Sequence, residues 1–198
     1  MSSDEIDYGR RRMLVAATTA MGGVGAAYVA TPFILSMHPS AKAQAAGAPV
    51  EVDVSKLEPG QLLTVEWRGK PVWILRRDKE MLENMKSLEP LLRDPHSDDL
   101  AQQPAYAKNE YRSINPEYMV MIGICTHLGC APTFRPEVAP EDLGPEWKGG
   151  FFCPCHGSSY DLAGRVYAGM PAPTNLVVPP YHFTLSTRLV IGVDPEAV

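Results

Sequence analysis

Apolar and polar positions change their rhythm along this chain. Met13 to Met37 contains no Asp, Glu, Lys, Arg or His. As a helix this run would be roughly 37 Å long, sufficient to cross a bilayer with some tilt. Gly22, Gly23, Gly25 and Pro32 would weaken a soluble helix, but such residues are common in membrane helices. From Val50 the rhythm shortens. Val50 to Val54, Gln61 to Trp67 and Pro71 to Arg77 carry β-type alternation, and Arg68-Gly69-Lys70 marks a hairpin turn between the last two. Met81, Leu82, Met85 and Leu88 recur at helical spacing and predict a short amphipathic helix with its methionines in the core. Asp94 to Pro116 is polar and proline-interrupted, a surface loop. Tyr118 to Ile124 is a continuous apolar run and predicts a buried strand. Leu176 to Val178, His182 to Leu185 and Leu189 to Val193 read as further short strands. No internal repeat is visible. The expected fold class is mainly β, an antiparallel head preceded by one N-terminal transmembrane helix.

Composition agrees with that picture. The chain has 198 residues, enough for one domain plus an appendage. It has 19 prolines and 16 glycines, more than half of them beyond Pro116, which favours short strands and turns over a helical bundle. The net charge of −5 is spread thinly and no basic stripe occurs, which excludes nucleic acid as a partner.

The flanks of the apolar run set its orientation. Arg10-Arg11-Arg12 precedes it, and Lys42 is the one basic residue close after it. The positive-inside bias places residues 1–12 in the cytoplasm and everything after Pro39 on the far side. Arg10-Arg11 followed by Arg12-Met13-Leu14 resembles a twin-arginine export signal, so the far side is expected to be the periplasm, across a bacterial inner membrane. A cleaved signal is the competing reading, with Ala41-Lys42-Ala43 as its cleavage site. The apolar stretch is longer than the 7–15 residues or so of such signals, which favours a retained anchor over 13–37. Residues 38–49 are small and polar, without periodicity, and read as a flexible linker that would span about 40 Å when fully extended. Residues 50–198 form the head.

Only four cysteines occur, in Cys125-Thr126-His127-Leu128-Gly129-Cys130 and Cys153-Pro154-Cys155-His156-Gly157-Ser158. Such clustering indicates a site rather than a scattered disulfide framework. Each motif offers thiolate and imidazole within a few residues. Two sulfur and two imidazole ligands suit zinc or a mixed-ligand iron–sulfur cluster. Cys-x-His followed by Cys-x-x-His differs from common zinc-finger spacings, which pair Cys with Cys and His with His.

The pair CTHLGC and CPCHGS resembles both boxes of the Rieske proteins of ubiquinol–cytochrome c reductases, and the likeness extends more weakly from the apolar run to the last strands. The resemblance implies a Rieske head with a cluster-binding subdomain over about 118–175. It implies one 2Fe–2S cluster held by Cys125, His127, Cys153 and His156, and a disulfide between Cys130 and Cys155. The hydroxyls of Ser158 and Tyr160 match family donors to cluster sulfur, and Leu128 matches an apolar contact to the quinone pocket. Gly169-Met170-Pro171-Ala172-Pro173 is similar to a proline-rich loop that shields the cluster. Met170 stands where glycine is often found, and the stretch from Ala131 to Phe152, loop-like with four prolines, is longer than in many relatives. His38, His96 and His182 lie outside the boxes and are expected to be surface or ordinary core residues.

The resemblance implies an electron carrier, the catalytic iron–sulfur subunit of a proton-translocating quinol–cytochrome c reductase. Its expected partners are ubiquinol, a cytochrome b subunit, a membrane-anchored c-type cytochrome and membrane lipid, within a dimeric complex. His127 and His156 would take the proton of the quinol. Three other readings compete: the Rieske subunit of an arsenite-oxidase-like complex, a ferredoxin serving an oxygenase, and a structural zinc domain. The anchor, the linker and the Pro171-Ala172-Pro173 loop favour the first reading over the arsenite-oxidase-like one. The ferredoxins of oxygenases lack a pair equivalent to Cys130 and Cys155 and need no anchor. An absorption or EPR spectrum separates a zinc domain.

Overall fold

A computed structural model describes residues 7–195 of the chain. It divides into two units, residues 1–45 and 46–198.

The first unit is dominated by helix α1, Tyr8–Ser36. The Asp7 carboxylate starts it by accepting the backbone N–H groups of Gly9 and Arg10 at 3.0 and 3.1 Å. The helix therefore begins before Met13, and Arg10 to Arg12 lie in its first turns. Its most apolar stretch has a mean hydropathy of 1.5. The Thr31 hydroxyl folds back on the Ala27 carbonyl at 2.8 Å, hiding a polar group against the backbone. The expectation of an irregular segment at 38–49 is corrected in part, because Ala41–Ala46 forms a short helix, α2. Its alanines favour helix intrinsically, and the Ser40 hydroxyl caps it by accepting from Ala43 N–H at 3.2 Å.

Among the described residues the head holds three antiparallel sheets of three strands each. The first joins β1 (Val50–Asp53) to the C-terminal hairpin of β8 (Tyr181–Leu185) and β9 (Arg188–Ile191) in the order β1-β9-β8. The second is a meander of β2 (Leu62–Trp67), β3 (Lys70–Arg76) and β4 (Tyr118–Ile122). Its tight hairpin places both Arg68 and Gly69 at positive φ, 53° and 69°, matching the right-handed twist of the strands. The third joins β5 (Thr133–Val138), β6 (Lys148–Phe152) and β7 (Ser159–Tyr160). Between β3 and β4, helix α3 (Lys79–Lys86) is capped by Asp78 and buries Met81 and Met85, as the spacing predicts.

Two expectations are corrected. Residues 131–152 form the β5–β6 hairpin rather than a loop, with Pro136 at an irregularity of the pairing between Arg135 and Val138. Proline lacks an N–H and breaks the alternation that would have revealed the strand. Leu176 to Val178 is no regular strand. It threads between neighbours instead: Leu176 N–H donates to Gly164 O and Val178 N–H to Gln102 O, both at 2.8 Å.

Three arginines are fully buried among the largest interior side chains: Arg77, Arg112 and Arg165. Arg165 pairs with the equally buried Asp161 at 2.7 Å. Arg77 and Arg112 satisfy their charge with backbone carbonyls. Arg77 donates to Pro116 O and Tyr111 O and to the Ser113 hydroxyl at 2.8–2.9 Å. Arg112 donates to Leu176 O at 2.8 Å, Ala163 O at 3.0 Å and Gln103 Oε1 at 3.0 Å. Burial lowers the pKa of both groups to about 10, so both stay charged at neutral pH. Removing one would leave several buried acceptors unpaired, at about 1–3 kcal/mol each.

Candidate metal centre

Two loops carry both cysteine–histidine motifs. The first leaves β4 and the second leaves β6. Their bases are locked together by Trp73 of β3 and Phe151 of β6, whose rings stack at 4.9 Å and 13°. Gly123 makes the first exit possible, because a Cβ there would lie inside the Trp73 ring.

The loops close in the same way. Cys125 N–H donates to Cys130 O at 2.8 Å and Gly129 N–H to Cys125 O at 3.0 Å. In the second loop, Cys153 N–H donates to Ser158 O at 2.8 Å and Gly157 N–H to Cys153 O at 2.9 Å. Gly129 and Gly157 sit at φ of 81° and 77°, a conformation that favours glycine. Each loop thus points a cysteine inward and lifts a histidine outward.

Cys125 and Cys153 are free and buried, 2 % and 1 % exposed. His127 is half-buried and His156 exposed. Their rings meet edge to face at 4.7 Å. Cys130 and Cys155 form a disulfide that ties one loop to the other across a Cα separation of 6.7 Å, the pairing the resemblance implies. The sulfurs of Cys130, Cys153 and Cys155 lie within 4.8 Å of one another, yet two of them are committed to the bridge. The thiols left for coordination are Cys125 and Cys153.

Their surroundings differ. Burial opposes ionisation of the Cys125 thiol. Hydrogen bonds from the Tyr160 hydroxyl, His127 N–H, Cys153 and Ser158 outweigh that and hold its pKa below the usual thiol value. For Cys153 burial wins, despite the backbone N–H groups of Cys155 and His156, and its pKa is raised. The surroundings therefore favour the thiolate form at Cys125 and oppose it at Cys153. Two buried thiols and two paired imidazoles on the same pair of loops fit a ligand set of two sulfurs and two nitrogens.

The remaining predicted residues gather around this set. Tyr160, fully buried, places its hydroxyl 3.2 Å from Cys125 Sγ. Burial raises its pKa, so it remains a neutral donor. The buried Ser158 hydroxyl accepts Ala172 N–H at 3.1 Å, and Ala172 lies between Pro171 and Pro173. The proline-rich loop is thereby drawn onto the second cysteine loop. Leu128 is 71 % exposed beside His127, an apolar side chain held in solvent. Sequence reasoning missed Thr126, whose hydroxyl donates to Thr174 O at 2.7 Å and joins the first loop to the proline-rich one. Its place inside the first motif was the available signal. His182 sits at the edge of the first sheet, away from these residues, with Nδ1 3.2 Å from Val193 O.

Comparison with known proteins decides which centre this is. Residues 48–182 match the family model "Rieske [2Fe-2S] domain". Residues 1–40 match a second model, "Ubiquitinol-cytochrome C reductase Fe-S subunit TAT signal". The head is thus a Rieske-type iron–sulfur domain, and such a domain implies a 2Fe–2S cluster. The ubiquinol–cytochrome c reductase iron–sulfur subunit of Allochromatium vinosum is 60 % identical over 98 % of this chain and 93 % of its own. That of Blastochloris viridis is 43 % identical over 96 % of this chain and 97 % of its own. A chain of a solved hyperthermophilic respiratory Complex III aligns over 90 % of this chain and 98 % of its own, at 29 % identity and a TM-score of 0.47. The chain belongs to the family of ubiquinol–cytochrome c reductase iron–sulfur subunits. It is a subunit of a cytochrome bc1 complex and transfers electrons there.

Proposed function

We propose that Cys125, His127, Cys153 and His156 would hold the 2Fe–2S cluster, and that the site takes an electron together with a proton from ubiquinol. The observation that carries this reading is the division of the ligand set. The thiols are buried against Tyr160 and Ser158, while the imidazoles stand at the surface beside an exposed leucine. When bound, the cluster supplies a one-electron acceptor, and histidine ligation in place of two thiolates makes it easier to reduce. The chain's own residues do the rest. Leu128 offers an apolar seat for the quinone ring. A ring nitrogen of His127 or His156 not engaged by iron accepts the quinol hydroxyl's hydrogen bond and takes its proton. Ser158 and Tyr160 donate toward cluster sulfur and favour the reduced, more negative state. Pro171 and Pro173 keep water from the buried face.

In this reading residues 1–12 are cytoplasmic, 13–37 form the anchor in the inner membrane, and 38–49 connect it to a periplasmic head over 50–198. The long apolar helix and the match of residues 1–40 to the export-signal model support that arrangement. The head moves on the connection between a cytochrome b subunit, where quinol is oxidised, and a membrane-anchored c-type cytochrome, which receives the electron. Lipid surrounds the helix, and the complex is dimeric.

The test is isolation of the native protein from membranes. It should co-purify with a diheme cytochrome b and a c-type cytochrome, and on reduction show the EPR signal of a mixed Cys/His 2Fe–2S cluster. Co-purification with a molybdenum subunit, or a head containing zinc, would overturn the reading.

A further inference from the structure

The proline-rich loop, Met170 to Thr174, has few backbone donors of its own, because Pro171 and Pro173 lack an N–H. From inside it is held by the Ser158 hydroxyl, which accepts Ala172 N–H. From outside, two of its carbonyls are taken by a residue 77 to 80 positions earlier. Arg93 Nη2 donates to Met170 O at 2.8 Å and Nη1 to Pro173 O at 3.2 Å. The backbone delivers that side chain. Arg93 N–H donates to Val166 O at 2.9 Å, Ala168 N–H donates to Leu91 O at 2.8 Å, and Leu92 pairs with Tyr167. Segment 91–93 is thus fixed beside the strand-like residues that lead into the loop. The next residue repeats the attachment: Asn175 Nδ2 donates to Asp94 O at 3.0 Å, while Asn175 Oδ1 accepts Val166 N–H at 2.9 Å.

We propose that Arg93 is a positioning residue for quinol oxidation, clamping the Met170–Pro173 loop closed against Ser158 and so fixing the wall behind the loops of His127 and His156, which it meets through Thr126 and Ser158. The inference rests on the quinol-oxidising function proposed above. The planar guanidinium is suited to it, because two nitrogens of fixed separation reach two carbonyls three residues apart. A lysine ammonium can satisfy one of them well but not the pair. Arg93 is exposed and outside the hydrophobic core, so its loss leaves the head folded while the loop gains freedom. A looser wall binds quinol less well but leaves the transfer itself unchanged. The signature is therefore in KM, not in kcat.

The experiment compares the intact native complex with complexes carrying Arg93→Ala and Arg93→Lys. Hydrogen exchange of the peptide containing Ala172 and Thr174 should quicken about five- to tenfold in Arg93→Ala. KM for ubiquinol should rise on the order of fivefold with kcat at saturation retained. Arg93→Lys should fall between the variant and the native protein in both measurements. Native exchange and native KM in Arg93→Ala would overturn the proposal, as would a fall in kcat at unchanged KM. A native complex that oxidised no quinol would instead refute the parent function, and the exchange comparison would still judge the clamp.

Discussion

The hydroxyl of Tyr160, 3.2 Å from the sulfur of Cys125, carries one proton for two acceptors. It accepts Thr126 N–H at 3.2 Å and also lies 3.2 Å from Thr126 Oγ1. The threonine's own proton is spent on Thr174 O, so the phenol's proton is divided between threonine oxygen and cysteine sulfur. A hydrogen bond to a charged group is worth about 1.5–3 kcal/mol, and about 1.4 kcal/mol corresponds to 59 mV in a one-electron couple. Because such bonds strengthen on reduction, Tyr160→Phe and Ser158→Ala should each lower the midpoint on the order of 50–100 mV. Redox titration followed by EPR reads this directly. Unchanged midpoints would reduce both residues to packing.

Proton uptake at the imidazoles implies a pH-dependent potential. Raising the pH makes a proton-coupled reduction harder, so the midpoint should fall by about 59 mV per pH unit per proton at alkaline pH. In acid, where no proton accompanies the electron, it should be flat. Voltammetry of the full protein in detergent measures the curve. A midpoint constant from neutral to strongly alkaline pH removes the coupling.

Replacing Cys130 or Cys155 by serine should leave cluster assembly possible and make the cluster labile. The ring closed by the bridge has a sequence separation of 25. In the chain-entropy model that stabilises the head by roughly 3.5 kcal/mol. Cluster absorbance should decay faster than in the native protein, without an altered EPR line shape. A changed line shape would mean that the ligands are misassigned.

The chain extracted from membranes should retain residues before Arg10. Intact mass spectrometry decides it. A mature start near Gln44 would mean that α1 is removed as a signal.

Alkaline stability follows from the interior tyrosines. Burial pushes the Tyr181 hydroxyl up to about 12, although Ile114 N–H donates to it. Tyr106 and Tyr167 are also raised by burial. In the unfolded chain these groups ionise near pH 10. Between that value and the folded one the native state holds more protons, so stability is full below about pH 10 and falls as pH rises toward 12. Each such tyrosine contributes up to about 1.4 kcal/mol per pH unit. Urea titrations at pH 9, 10 and 11 should show the slope, and Tyr181→Phe should make it shallower. An identical slope in that variant would remove Tyr181 as a source.

The two cysteine loops were legible because each concentrates its chemistry in six consecutive residues. The strand 62–67 was legible from its alternation, and 70–76 from the run of apolar, strand-favouring residues Val72 to Leu75 between polar ends. The β5–β6 hairpin was not, since Pro132, Pro136, Pro140 and Pro145 mask it. Arg93 escaped because its contacts lie 77 and 80 residues away, beyond any local pattern. Arg77, Arg112 and Arg165 escaped because a charged residue reads as surface until its acceptors are known. The shared closure of the loops was half visible: glycine follows each first cysteine by four positions, but the hydrogen bonds that make them alike are a property of the fold.

Besides Gln102 O and Gln103 Oε1, buried Arg112 gathers the carbonyls of Ala163, Gly164 and Leu176. None of these last three is available while the ribosome is still adding residues short of 163. The interior behind the cysteine loops therefore cannot close until residue 176 has been added, and contacts of such sequence separation form slowly. A nascent head spends its early life with both cysteine loops unjoined. Residue 176 thus sets the earliest point in synthesis at which the two loops can be backed by a closed interior.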